Sequence, residues 1–329
     1  MSELAIAAFA AETGAHLLEA PRSRRFAAFA EQFDEPAFLA ALRASGLRWL
    51  RRSDPEFPPR LAAVHDPPTG LFVRGAAGFD LLRAPLVAIV GARACSSYGS
   101  EVGTSFARGL AEAGVTVVSG LARGVDAAAH RGALERGATI AVLGCGIDRD
   151  YPRAHAPLAA QIAATGLIVS EYPPGVEPAP WRFPARNRIV AGLAAATLVV
   201  EARERSGALI TADLALEEGR EVFAVPGEIT SALSHGTNAL LRLGAIPATR
   251  VEDVLEAIGV APDEARILPV PAEPRVASVH AAVVDAPATV DELVRRTGLG
   301  AGHVAAALAE LELLGLVSQD AGVYRGVVR

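Results

Sequence analysis

The turn Gly91-Ala92-Arg93 is the first stretch of this chain whose residue types suggest chemistry. It follows Leu86–Val90, an apolar run rich in β-branched residues, which predicts a buried strand. Ser96 can cap the helix predicted after the turn. A strand, a glycine turn and a helix bring backbone N–H groups and the positive end of a helix dipole to one point, which suits an anion such as a phosphate group.

This turn departs from the dinucleotide-binding pattern G-x-G-x-x-G, because Arg93 and Ser96 stand where its second and third glycines would be. A side chain at the second glycine argues against a pyrophosphate that lies on bare backbone. A guanidinium offers a phosphate group a forked contact instead. An ordinary α/β turn with a surface arginine explains this motif, taken alone, equally well.

Apolar strands alternate with helical segments through the middle of the chain, which predicts an α/β fold with a parallel sheet covered on both faces. The predicted strands are Leu86–Val90, Val115–Ser119, Thr139–Leu143, Leu167–Ser170, Thr197–Glu201, Glu221–Val225 and Ala245–Pro247. The turns after such strands meet at one edge of the sheet, where α/β proteins bind their ligands.

Arginines and aromatic residues are concentrated in these turns. They are Arg93, Arg123, Arg149, Arg153, Arg182, Arg186, Arg188, Arg203 and Arg205, with Tyr98, Tyr151, Tyr172, Trp181 and Phe183. This combination suits single-stranded nucleic acid, because the charges follow its backbone and the rings stack on its bases. Glu171, Glu177 and Glu201 lie in the same turns and can pair with arginines. Each ring can alternatively pack against a helix, and Tyr172 fits that structural role best.

Composition restricts the function classes. All 31 basic residues are arginine, and the absence of lysine excludes a Walker A loop, a Schiff-base enzyme and a pyridoxal enzyme. With a net charge of −6, any nucleic-acid site must be local. The two cysteines form no disulfide framework and no CxxC pair, so we expect a cytoplasmic protein without a metal or another cofactor. The amino-terminal stretch lacks a basic region and contains Glu3 and Glu12, so we expect neither a signal peptide nor a membrane span.

Motifs for catalysis are scarce. The sequence contains no G-x-S-x-G elbow and no HExxH. Cys145 lies between two glycines at a predicted strand end and fits a tight turn better than a nucleophile. Asp126 and His130 share one helix face, which allows an acid–base couple or an ordinary capping or surface pair. We expect no catalytic residues and no enzymatic activity.

The chain is predicted to contain four segments. Residues 1–75 form a region that is helical to about residue 52, followed by a proline-rich connector with a short strand at Leu71–Val73. Residues 76–260 form the α/β domain, residues 261–277 form a proline-rich linker, and residues 278–329 form a small domain.

The small domain has the pattern of a winged helix. It contains a helix near Ser278–Val284, a capping box at Thr289–Glu292, a third helix at Gly300–Leu314 and a hairpin. The third helix carries no arginine, so contact with a protein explains this domain at least as well as reading of the DNA major groove.

Seven phrases between Leu86 and Ala245 resemble the DNA-processing protein A family of natural transformation, also called Smf. They are VAIVGARACSSYG, SGLARGVDAAAH, TIAVLGCGIDRDYP, GLIVSEYPPG, FPARNRIVAGL, LVVEARERSGALITA and GREVFAVPG, in the order of the family. The upstream phrase DPPTGLFVRG and the winged helix also fit, whereas the amino-terminal helices lack the G-x-G hairpin often seen there.

The resemblance implies an extended Rossmann domain in a protein that is not an enzyme. Such proteins bind and protect incoming single-stranded DNA, and they load the RecA recombinase onto it during recombination. They form homodimers through the carboxy-terminal part of the Rossmann domain, where residues 221–259 of this chain are rich in apolar side chains. By motif position, the implied DNA-binding residues are Gly91, Arg93, Ser96, Ser119, Gly120, Arg123, Arg153, Phe183, Arg186, Asn187 and Arg188.

Two other functions are open alternatives. Phosphoribohydrolases that cleave nucleoside monophosphates share this fold, and Pro226-Gly227 with Gly236-Thr237 echo their P-G-G-x-G-T-x-x-E motif. The two pairs are farther apart than in that motif, and no glutamate follows at the required spacing. The second alternative is a sensor that binds a small nucleotide in the pocket and signals through the winged helix.

Overall fold

The computed structural model describes residues 2–13, 24–261, 273–320 and 322–326. The chain divides into two compact units, Met1–Ala261 and Pro262–Arg329. Most of the predicted linker, residues 261–277, lies outside the described residues.

A nine-stranded sheet runs through the described part of the first unit, in the order β1-β2-β6-β5-β4-β3-β7-β8-β9. The strands are β1 (Arg48–Arg51), β2 (Gly70–Arg74), β3 (Leu86–Val90), β4 (Thr116–Ser119), β5 (Thr139–Val142), β6 (Leu167–Ser170), β7 (Ala196–Val199), β8 (Glu221–Ala224) and β9 (Ile246–Pro247). The strands from β3 to β9 pair in parallel, which confirms the predicted sheet. Strand β2 is antiparallel to both of its neighbours, β1 and β6.

Helices cover both faces of this sheet, as the apolar strands predict. They are α1 (Glu3–Thr13), α2 (Arg24–Gln32), α3 (Glu35–Ala44), α4 (Pro59–Ala62), α5 (Ser97–Glu112), α6 (Val125–Leu134), α7 (Ala156–Thr165), α8 (Arg182–Leu193), α9 (Gly207–Glu217), α10 (His235–Arg242) and α11 (Val251–Ala257). Alternate residues of β3 enter opposite cores. Val87 and Ile89 pack in the core that contains Phe106 of α5. Ala88 packs in the core that contains Ile189 of α8.

The amino-terminal region contributes two strands to the central sheet. Its described residues form three helices, as predicted. The predicted helical stretch to about residue 52 is too long, because α3 ends at Ala44 and Gly46 turns the chain with φ of 69°. Strand β1 follows, and the proline-rich connector leads to β2. Leu71–Val73 is fully buried because strand β2 is covered on both faces. Residues up to 75 therefore share one compact unit with the central strands.

The described residues of the second unit form three helices and a small sheet, the arrangement of a winged helix. Its elements are α12 (Pro274–Asp285), β10 (Ala288–Thr289), α13 (Val290–Thr297), α14 (Ala301–Leu313), β11 (Val317–Asp320) and β12 (Val323–Gly326). The predicted capping box of Thr289 and Glu292 is confirmed. Helix α12 begins at Pro274 rather than near Ser278, because Glu273 caps it and a proline at the first helical position needs no N–H partner.

None of the helices within the described ranges combines the length and the apolar character that a membrane-spanning segment needs.

Close packing of α5 against α6 depends on Gly132. A Cβ added there would overlap the carbonyl oxygen of Thr104, whereas a Cβ at Gly103, on the same interface, would meet Val125 Cγ1 at an ordinary 3.5 Å. We expect Gly132→Ala to lower the free energy of unfolding by about 1–3 kcal/mol. Gly103→Ala should be neutral or stabilising, because alanine favours a helix by up to about 1 kcal/mol over glycine.

Denaturant unfolding followed by tryptophan fluorescence measures this difference, because Trp49 and Trp181, the two tryptophans of the chain, both lie in the first unit. Equal midpoints for the two variants would contradict the proposed packing constraint.

Candidate nucleic-acid interface

A pocket of about 310 Å³ lies at the carboxyl ends of the central strands. Strand β3 is where the strand order reverses, since β4 lies on one side of it and β7 on the other. Ligands of α/β sheets bind at such a point. The lining includes Gly91, Arg93, Gly120, Asp126, Phe183, Arg186, Asn187, Arg203, Arg205, Ser206 and Gly207.

The turn that carries Arg93 is held from two sides. Ala92 N donates to the carbonyl of Glu201 after β7 (2.7 Å), and the carbonyl of Ala92 accepts from Val125 N of α6 (3.2 Å). Position 124, which packs against this turn, requires glycine for two reasons. A Cβ there would overlap the carbonyl oxygen of Ala92, and the φ of 75° lies in the left-handed region that favours glycine. A rigid turn therefore presents the exposed Arg93 side chain to the pocket.

Two stacked aromatic rings lie beside this arginine. Arg93 Cζ lies 5.6 Å from the centre of the Phe183 ring. Phe183 stacks in turn on Tyr151, with ring centres 5.2 Å apart and planes inclined by 24°. Tyr151 is 44% exposed, so the end of this stack is open to solvent. A cation and two stacked rings at one pocket mouth can hold a phosphate group and offer a surface for a base.

Arg186 forms part of the pocket floor. It is 5% exposed, and its Nη1 donates to the carbonyl oxygens of Gly120 (2.8 Å) and Val142. Burial lowers the pKa of Arg186, while the neighbouring Asp126 carboxylate opposes that shift. Burial likewise raises the pKa of Asp126, against the effect of Arg186 and of N–H donors from Gly120 and Ala122. Arg186 therefore joins the ends of β4 and β5 instead of flanking the pocket from outside.

Arg188, which is predicted to flank the pocket, is not among the residues that line it. Its guanidinium binds both oxygens of Glu171 (3.3 and 2.7 Å) and Oδ2 of Asp66 (2.9 Å). Although burial acts to lower the pKa of Arg188, the two carboxylates raise it above its ordinary value. This fork ties α8 to the end of β6 and to the connector.

Both predicted serines already have partners within the chain. Ser119 is fully buried and its Oγ donates to the carbonyl of Ile89 (2.7 Å), below the pocket. Ser96 caps α5 as predicted, with Oγ accepting from Gly99 N. Its own N and Oγ donate to the carboxylate of Glu201 at 2.9 and 2.5 Å. A carboxylate of the chain therefore already engages the donors of Ser96, where the sequence predicts an anion site.

The remaining predicted residues divide between the pocket and the surface. Asn187 lines the pocket and donates to the carbonyl of Gly207 (3.2 Å). Arg123 and Arg153 are exposed and lie outside the pocket lining. Arg153 follows Tyr151 and Pro152 in the chain.

Arg203 and Arg205 are pocket residues that the predicted DNA-binding set omitted. Both are exposed, and they precede Ser206, which caps α9. The phrase EARERSG contains the available signal, since two arginines stand within three residues before a serine N-cap at the sheet edge. Among the described residues, no ion pair involves Arg93, Arg203 or Arg205.

Acidic residues do neutralise other arginines of this edge. Arg149 pairs with Glu177 at 2.9 Å, and Arg74 pairs with Asp150. Arg182 donates to the carbonyl of Glu177 and lies 5.0 Å from the ring centres of Tyr172 and Trp181. Fewer arginines at this edge are therefore available to bind a phosphate group than its turns contain.

The groups considered for catalysis are buried and have other roles. Burial raises the pKa of Cys145 to about 11, so its thiol is protonated at neutral pH. Burial lowers the pKa of His130 to about 3, and its Nδ1 lies 2.8 Å from Thr139 Oγ1. Asp126 instead accepts from Gly120 N and Ala122 N, so the possible acid–base couple with His130 is not formed. Within the described ranges, no cluster of histidine, cysteine and acidic residues could hold a metal ion.

Comparison with known proteins agrees with this architecture. Residues 48–259 match the DNA recombination-mediator protein A family, and residues 247–323 match the DprA winged helix domain. Protein Smf of Escherichia coli is 42% identical over 305 residues, which cover 85% of this chain and 79% of the relative.

Two solved structures share the fold. DNA processing protein A of Streptococcus pneumoniae has a TM-score of 0.64 and 43% identity, over 71% of this chain and 82% of that one. DNA processing protein A of Helicobacter pylori, described for its single-stranded DNA binding mode, has a TM-score of 0.59 and 32% identity, over 64% and 95%. The family match spans more than half of the chain, and the phrases that line the pocket lie inside it. This chain therefore belongs to the DNA recombination-mediator protein A family, also called DprA or Smf.

Proposed function

We propose that this protein binds single-stranded DNA at the pocket mouth and acts as a recombination mediator without enzymatic activity. The observation that carries the proposal is the row formed by Arg93, Phe183 and Tyr151, beside two further arginines that lack ion pairs among the described residues. A strand with unpaired bases can place a phosphate group at the arginines and stack bases on the open ring. A duplex keeps its bases stacked inside and cannot use that ring.

The relatives support the same assignment. The Helicobacter pylori structure is described for its single-stranded DNA binding mode, and the fold of that protein is shared here at 32% identity. The buried Cys145 and His130 support a binding role, because neither is placed to act as a nucleophile or an acid–base group at the pocket.

The proposal includes protection of incoming DNA in the cytoplasm during natural transformation and transfer of the strand to the RecA recombinase. Acceleration of RecA filament growth on a strand already covered by a single-strand-binding protein would test the loading step, and an unchanged rate would contradict it.

The proposal also includes a homodimer through residues 221–259. Ile229 and Leu243 in this stretch are 87% and 85% exposed, which is unusual for large apolar side chains and suits a protein contact. Sedimentation at micromolar concentration tests it, and a monomer would count against it.

A nucleotide sensor or a phosphoribohydrolase is the second candidate, favoured by the size of the pocket. A volume of about 310 Å³ is at the lower end of the range for small-ligand sites. Incubation with nucleoside monophosphates separates the two functions, since release of free base would indicate hydrolysis and tight binding without turnover would indicate a sensor.

We expect the protein to prefer oligo-dT over blunt duplex of equal length at the same salt concentration. The exposed ring stack is useful only to unpaired bases. Gel shifts over a salt series measure the preference, and equal affinity for both forms would contradict it. The dependence of affinity on salt should correspond to a handful of phosphate contacts, because the net charge of the protein is −6.

Arg93→Ala should weaken single-strand binding at least as much as Arg153→Ala, and more than Arg24→Ala in α2. Loss of a phosphate contact costs about 1 kcal/mol at an exposed site and up to about 3 kcal/mol in a preformed pocket. Arg93→Lys should recover only part of the loss, since an ammonium cannot form the fork. Fluorescence anisotropy with labelled oligo-dT gives the affinities. Parent-like binding by a normally folded Arg93→Ala variant would move the DNA site elsewhere and favour the sensor.

Arg188→Ala should act on stability. Removal of this cation leaves Glu171 buried without its charge partner, which typically costs about 3–5 kcal/mol. Arg123→Ala is the matched control, because Arg123 is exposed and has no ion pair among the described residues. Tryptophan fluorescence during denaturation should show an earlier transition for Arg188→Ala alone. A transition at the midpoint of the control would mean that the buried fork contributes little.

A further inference from the structure

The Glu201 carboxylate lies at the amino-terminal end of α5, where a turn of this kind would otherwise bind a phosphate group. It accepts hydrogen bonds from Ser96 N at 2.9 Å and from Ser96 Oγ at 2.5 Å. Glu201 is 4% exposed, so this anion is part of the interior of the protein. Glu201 comes from the segment after β7, and a buried carboxylate beside the turn that carries Arg93 does not help to attract DNA.

Gly99 makes room for this carboxylate. A Cβ at Gly99 would overlap Glu201 Oε2, so only glycine permits the close approach. Gly99 lies within α5 and is not among the glycines with positive φ, which means that space and not backbone freedom requires it. The helix start is therefore shaped around an internal anion.

The same residue also fixes the turn through its backbone. The carbonyl of Glu201 accepts from Ala92 N at 2.7 Å, while its side chain binds Ser96. Arg93 lies between these two points of attachment. The turn consequently cannot open to accept an external anion at the helix start without breaking contacts to the end of β7.

We propose that Glu201 is a specificity-determining residue, which closes the start of α5 to the phosphate groups of free nucleotides. A terminal phosphate or pyrophosphate group at this helix start would need donors such as Ser96 N and Ser96 Oγ, which the carboxylate already engages. Its negative charge is also repelled by that carboxylate at short range. Phosphate groups are left to the arginine side of the pocket, at Arg93, Arg203 and Arg205. Only this last statement rests on the proposed binding of single-stranded DNA, whose internal phosphodiesters suit arginine side chains.

Glu201→Ala and Glu201→Gln test the exclusion, with inorganic pyrophosphate as the ligand. The first variant removes both the volume and the charge of the side chain, and the second keeps the volume and removes the charge. Glu204→Ala is the matched control, because Glu204 lies in the same turn and carries the same charge but is exposed, with its carboxylate 4.0 Å from His235. Calorimetry gives the affinity, and amide NMR shifts of Ser96 and Ser97 locate the ligand.

We expect pyrophosphate affinity to rise about tenfold in Glu201→Ala, because a like charge at short range is removed. The amide NMR signals of Ser96 and Ser97 should both shift when pyrophosphate binds. Glu201→Gln should show a smaller gain at the same amides, and it decides the question if Glu201→Ala does not fold. Parent-like affinity in every folded Glu201 variant, or an equal gain in Glu204→Ala, would overturn the proposal. Because these titrations contain no DNA, a failure to bind single strands would leave their outcome unaffected.

Discussion

The buried guanidinium of Arg186 binds the carbonyl oxygens of Gly120 and Val142, and the pocket is built above this contact. A cation removed from water must have its donors satisfied, so the strand ends are held where the guanidinium needs them. Gly120 has to be a glycine because a Cβ would overlap the guanidinium. Phe183 lies one turn before Arg186 on α8, so anchoring of the arginine also sets the position of the ring that faces Arg93.

A second buried cation links this helix to the amino-terminal region. Arg188 binds Glu171 at the end of β6 and Asp66 in the proline-rich connector. The connector is thereby attached to α8, and β2 extends the sheet on the side of β6. The strands that precede the α/β core in sequence therefore help to hold the helix that carries the pocket residues. The connector and the central sheet accordingly belong to one compact unit.

The distribution of charge accounts for a nucleic-acid site in a protein with a net charge of −6. Acidic partners neutralise Arg74, Arg149 and Arg188, while Arg186 is used inside the fold. Arg93, Arg203 and Arg205 border one pocket and have no ion pair among the described residues. A small region of positive potential can bind a phosphate backbone locally without a basic surface elsewhere. Glu201 adds selectivity by giving the start of α5 an internal anion.

Residue patterns alone predict the parallel sheet, its helical layers, the winged-helix pattern and the sheet edge that holds the pocket. Apolar runs and capping residues are local signals, and connection rules for parallel strands place their following turns at one edge. The sequence also predicts that the turns of Arg93 and Phe183 meet at that edge, and the Arg93 guanidinium does lie close to the Phe183 ring.

Long-range packing, in contrast, sets which arginines are available to a ligand and which anion occupies the start of α5. Arg186 and Arg188 are two residues apart on one helix, yet one binds strand carbonyls and the other binds two carboxylates from distant segments. The partners of Arg188 and of Ser96 are separated from them by 17 to 122 positions in the chain. Pairing across such distances depends on how strands and helices pack, and residue type and local spacing carry no information about it.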